Sequence, residues 1–169
     1  MAESVLDIMW FRNKITNPSQ SMKLSLIFAN CFWFLLPILA WNILFGSRIT
    51  QEQIVSDAHS PSWFLGLENI FRLAAFILPL FLSMKLDERL GKIGLAVYMV
   101  GTLIYFASWL PLMYAPQSAW SQSIAGLFAP RLTPLIALLG VALVARSWPY
   151  GFVATIFIFF HTWHGVQNL

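Results

Sequence analysis

The sequence predicts an all-α integral membrane protein, a bundle of five transmembrane helices with its N-terminus cytoplasmic and its C-terminus outside. Three observations lead there. The 169 residues are 59% hydrophobic and only 10% charged, against roughly 25% charged in an ordinary soluble domain. The apolar residues gather into five stretches close to the ~20 residues that a helix needs to cross ~30 Å of hydrocarbon. The basic residues outside those stretches fall mostly on one side of them.

The five spans are expected at about 24–46, 63–84, 93–113, 124–145 and 150–169. The first is too long, and too rich in aromatics and prolines, for a cleaved signal peptide. The second and third are long enough to span, the second carrying Glu68, Asn69 and Arg72 among its apolar residues. The fourth contains Pro130, Arg131 and Pro134. A start at Thr133 and Pro134 would leave it too short to span. It therefore either kinks and starts near Ser123, or lays Trp120 to Pro130 partly in the interface. The fifth needs its tail residues to complete a crossing. Residues 24–169 then form one transmembrane domain. Residues 1–23 form a cytoplasmic segment and a candidate interfacial helix, although its apolar residues do not collect on one face.

Orientation follows from the basic residues. With five spans, Arg12, Lys14, Lys23, Lys85, Arg89, Lys92 and Arg146 share one side, while Arg48 and Arg131 fall on the other. The richer side is cytoplasmic, which makes this a multi-pass protein of the cell membrane. Trp41, Trp63, Trp109, Trp120 and Trp163 fall near the outer boundary, and Trp10 and Trp148 near the inner one, as an interfacial belt would.

Several function classes are disfavoured. The net charge of +3 lies in loops rather than along one stripe, so nucleic acid is not an expected partner. Cys31 is the single cysteine, which excludes an intramolecular disulfide and a multi-cysteine metal site. Asn17 is followed by Pro18, so it is no glycosylation acceptor. Serine-nucleophile, phosphate-cradling and nucleotide motifs are missing, and no cofactor is implied. No internal repeat supports an inverted-repeat transporter.

The polar residues inside the spans carry the functional signal, because ionisable groups at membrane depth are costly. Glu68 and Arg72 are four apart, acid first, which suits an ion pair on one helical face. That face continues through Ala75 to Pro79. His161 and His164 share a face with Ala154 and Phe157. Tyr98, Thr102, Tyr105, Ser108 and Trp109 form a polar-aromatic stripe. At ~1.5 Å per residue, Glu68 lies roughly 8 Å below the outer boundary, Arg72 roughly 14, Tyr105 roughly 12, Arg131 roughly 10, His161 roughly 13 and His164 roughly 9. Residues from four helices thus fall in one layer that opens outward.

This layer leads to an expected ligand-binding set of Glu68, Asn69, Arg72, Tyr105, Trp109, Arg131, His161 and His164. The expected function is a non-enzymatic, outward-facing pocket for a small amphipathic or anionic molecule, or a contact used by a membrane complex or a homo-oligomer, with the lipid bilayer as surroundings. Arg72 and Arg131 would hold the head group and the aromatics the tail. One alternative is a membrane-embedded, metal-dependent hydrolase with His161, His164 and Glu68 as ligands. Another is a proton- or ion-coupled transporter in which Glu68 or a histidine titrates. Each feature also has a plainer counterpart: an interhelical clamp for Glu68–Arg72, and a helix end reaching for water for the histidines.

Overall fold

A computed structural model of the chain describes residues 29–56 and 62–166, with side chains placed for 29–46, 48 and 63–164. The interfacial segment expected over 1–23, the start of the first span, Trp10, and the tail beyond Val166 lie outside these residues. The described residues form five helical rods and no strand.

The first rod opens as a 3-10 turn, Cys31–Leu35, and continues as α1, Leu36–Ser56. Asn30 caps it, its side-chain oxygen accepting the Phe32 N–H at 2.7 Å. The second rod is α2, Ser62–Ile77, which tightens into a 3-10 turn over Leu78–Phe81. The expected continuation to Met84 is corrected here. Pro79 has no N–H to donate and its ring crowds the preceding turn, so the helix ends within two residues. The chain then runs extended and is satisfied by other backbone. Cys31 N–H donates to Leu82 O at 2.8 Å, Met84 N–H to Ala29 O at 2.7 Å, and Lys85 N–H to Val144 O at 3.1 Å. Irregular backbone needs such partners wherever water is scarce.

The third rod is α3, Arg89–Tyr114, with Pro111 in its last turn. The fourth has two segments, α4 over Ile124–Leu132 and α5 over Pro134–Ala145. Ser123 is the cap, its Oγ accepting the Gly126 N–H at 3.1 Å, and the rod breaks at Thr133. The start after Ser123 is the one the first of the two expected alternatives gave. The break has a local cause, since Pro134 cannot donate to the Pro130 carbonyl. The fifth rod is α6, Trp148–Val166.

Trp63–Phe81, Arg89–Tyr114 and Ile124–Ala145 are long and apolar enough to cross a membrane, while Cys31–Gly46 is a shorter apolar helix. α6 has the length, but its first turn and its histidines dilute its apolarity.

Packing centres on α5. Its contact with α3 is made by backbone: a Cβ on Gly101 would fall 2.5 Å from Ala137 N, and one on Gly140 would fall 2.4 Å from Tyr98 N. Small residues allow such an approach, and the dispersion gained along it holds helices together where no hydrophobic drive separates protein from lipid. Ala137, Val141 and Val144 on α5 are fully buried. α6 packs on α5 and α2, and Phe160 of α6 stands 5.0 Å from Phe64 and 6.0 Å from Phe71, ring centre to ring centre. Between α5 and α6 the chain reverses through Arg146 in the left-handed region, φ 53°. The Ser147 N–H reaches back to Ala142 O at 2.9 Å, closing α5 as a Schellman turn does. Arg146 also pairs with Glu88 at the start of α3.

Three tryptophans of the expected outer belt, Trp63, Trp120 and Trp163, are exposed. Trp41 and Trp109 turn inward instead. Trp41 stacks on Phe106 at 4.4 Å, and Trp109 lies edge-to-face with Tyr105. Both sit on helix faces already committed to packing, so position along the rod did not decide their direction.

Candidate ligand-binding site

The site begins with the spacing of two short stretches. In α2, four residues bring Glu68 and Arg72 onto one face, and Arg72 Nη2 donates to Glu68 Oε1. In α6, three residues bring His161 and His164 onto one face, which the aromatic packing of α2 and α6 turns toward Glu68. His161 Nδ1 lies 3.0 Å from Glu68 Oε1 and His164 Nδ1 lies 2.8 Å from Glu68 Oε2. Three donors from two helices therefore converge on one carboxylate that is only 1% exposed.

A carboxylate held by an arginine only accepts hydrogen bonds. Both Nδ1 atoms must then carry the proton, and in a neutral ring Nε2 keeps the lone pair. A buried charge is tolerable when it is paired and its lone pairs are filled, and Glu68 meets both conditions. Arg72 differs from it. Its side chain stays 42% exposed, and its guanidinium lies 6.0 Å from the centre of the Phe157 ring.

Beside this cluster is a cavity of about 390 Å³, within the ~300–1,000 Å³ typical of small-molecule sites. Arg72, Tyr105, Trp109, Arg131 and His161 all line it. Most of the remaining wall is apolar, including Ile38, Leu127, Leu138 and Phe157. No acidic side chain among the described residues lines it, because Glu68 sits behind Arg72 and His161.

Of the eight expected residues, five line the cavity, and Glu68 and His164 buttress it. Asn69 does neither: it is exposed, since one residue past Glu68 is ~100° around the helix. Asn42 is the residue that sequence reasoning passed over. It lines the cavity, and the Tyr105 hydroxyl donates to its Oδ1 at 2.6 Å. Its signal was an amide inside an otherwise apolar span.

The expected metal set takes another form. Glu68, His161 and His164 do meet, but the Nδ1 atoms face the carboxylate at hydrogen-bond distance. Among the described residues no group of three or more His, Cys, Asp or Glu side chains is arranged to hold a metal ion.

Compared with known proteins, the chain matches no family model, no curated protein and no solved structure. The arrangement is therefore read from its own chemistry.

Proposed function

We propose that this chain is a multi-pass protein of the cell membrane, N-terminus cytoplasmic, whose outward-facing cavity binds a small amphipathic anion. The observation that carries the reading is that two guanidinium groups, Arg72 and Arg131, line one largely apolar cavity. Arg72 spends one nitrogen on Glu68 and has further N–H groups to offer, and a guanidinium suits the oxygens of a carboxylate, sulfonate or phosphate. The apolar wall matches an alkyl or ring portion. In the first and third rods the lining residues Asn42, Gly46, Trp109 and Leu112 lie toward the ends expected to face outward.

Thermal unfolding of the purified chain in a neutral maltoside detergent tests the reading, with decanesulfonate and decanol as probes. A bound ligand at one hundred times its Kd stabilises by about 2.7 kcal/mol, so the sulfonate is expected to raise Tm and the alcohol to leave it nearly unchanged. Arg131→Gln removes one cation. Gly46→Trp fills the cavity from α1, where an added Cβ meets nothing within 4 Å. Both substitutions are expected to abolish the sulfonate effect. Equal stabilisation by decanol, or a full sulfonate effect in the Gly46→Trp protein, overturns the reading.

A further inference from the structure

We infer that an anionic head group enters this cavity together with one proton, taken up on His161 Nε2. The inference rests on the binding reading above and adds how the site is regulated.

Of the two histidines on Glu68, His161 lines the cavity, and its side chain is 23% exposed against 13% for His164. The Nδ1 edge of His161 is committed to Glu68, and Phe157 stacks against the ring at 5.6 Å. These two contacts fix the ring's orientation. Its Nε2 makes no hydrogen bond among the described residues. In the neutral ring that nitrogen presents a lone pair, which repels an anionic oxygen. Protonation turns it into an N–H donor on a cation, which attracts one. The same nitrogen therefore opposes the anion in one state and holds it in the other.

The surrounding charges point the same way. From α2, Glu68 and Arg72 face His161 and offset one another. His164 shares the Glu68 carboxylate from α6 itself. Arg131 from α4 and Tyr105 from α3 lie on the cavity wall, while α1 presents the neutral Asn42. An arriving anion adds one negative charge to this group, and also competes with Glu68 for Arg72. An imidazolium at His161 compensates both, because it donates to Glu68 through Nδ1 and to the ligand through Nε2. The proton comes from bulk solvent. One N–H bond forms and nothing is oxidised or transferred between substrates.

The sign follows from linkage. The bound state holds more protons than the free state, so affinity rises as pH falls, by up to tenfold per unit where one full proton is taken up.

Decanesulfonate is the probe, because its own charge does not titrate in this range. Its binding is followed from pH 8 to pH 6 by calorimetry in two buffers of different ionisation enthalpy. The expected result is a Kd that falls with pH and a heat that differs between buffers by about one proton's ionisation. His161→Gln keeps a polar group but cannot titrate, so its Kd is expected to be flat with pH, while His164→Gln keeps the slope. Sulfonate binding to the unsubstituted protein with no buffer-dependent heat overturns this inference and leaves the binding reading standing. Absence of sulfonate binding at every pH overturns both. Loss of the slope in His164→Gln, with retention in His161→Gln, overturns the assignment to His161.

Discussion

His164 Nδ1 stands 2.8 Å from Glu68 Oε2, across 96 positions of sequence. With the His161 contact it makes Glu68 the polar fastening between α2 and α6, whose remaining contacts are largely aromatic. The carboxylate thus holds two rods together and also holds an arginine and a histidine at the cavity wall.

Replacing Glu68 separates those roles. Glu68→Gln keeps the volume and one acceptor oxygen, and a histidine can change tautomer to accept from the new amide. The expected loss is about 1–3 kcal/mol. Glu68→Ala leaves Arg72 and both Nδ1–H groups without their acceptor, with a loss of up to about 3–5 kcal/mol. Denaturation in graded detergent mixtures measures both. An alanine variant as stable as the parent would show that the α2–α6 contact does not depend on this group.

The α3–α5 contact makes a sharper prediction. Gly101→Leu forces side-chain atoms into backbone, since even a Cβ there falls 2.5 Å from Ala137 N. Overpacking of this kind costs about 1–3 kcal/mol or more. Gly66 on α2 meets nothing within 4 Å, and Gly66→Leu is expected to stay within about 0.5 kcal/mol. Comparable losses at the two positions would mean that the close approach of α3 and α5 is not what stabilises the bundle.

Topology is open to labelling. Gln117 lies in the exposed loop between α3 and α4, and Asp87 in the exposed turn before α3. Cys31 is fully buried and is replaced by serine for the test. On intact cells, a membrane-impermeant maleimide is expected to modify Gln117→Cys and to spare Asp87→Cys until the membrane is opened. The opposite pattern reverses the proposed orientation.

The polar cluster was largely legible in the sequence. Charged and imidazole groups are scarce in apolar stretches, so spacing gave the faces, and residue counting placed Glu68, Arg72, Arg131 and His161 at similar depth. The packing partners were not legible. α5 is apolar on every side, so no periodicity marks which face meets α3. Gly101 and Gly140 carry no label for one another. The end of α2 at Pro79 had a visible cause. The pairing of residues 82–84 with 29–31 did not, because it joins extended segments about fifty positions apart with no alternating pattern in either.

That pairing has a mechanical consequence. Cys31, Met84 and Lys85 tie the first, second and fourth rods together by backbone hydrogen bonds at one level, at the end away from the cavity. Around the cavity itself the rods meet through side chains, such as Tyr105 on Asn42 and the histidines on Glu68. Backbone ties lengthen little, whereas side-chain contacts can rotate and re-form. Spreading the rods at this tied foot would break backbone hydrogen bonds, whereas spreading them at the mouth would require only side-chain contacts such as Tyr105 on Asn42 to rotate and re-form.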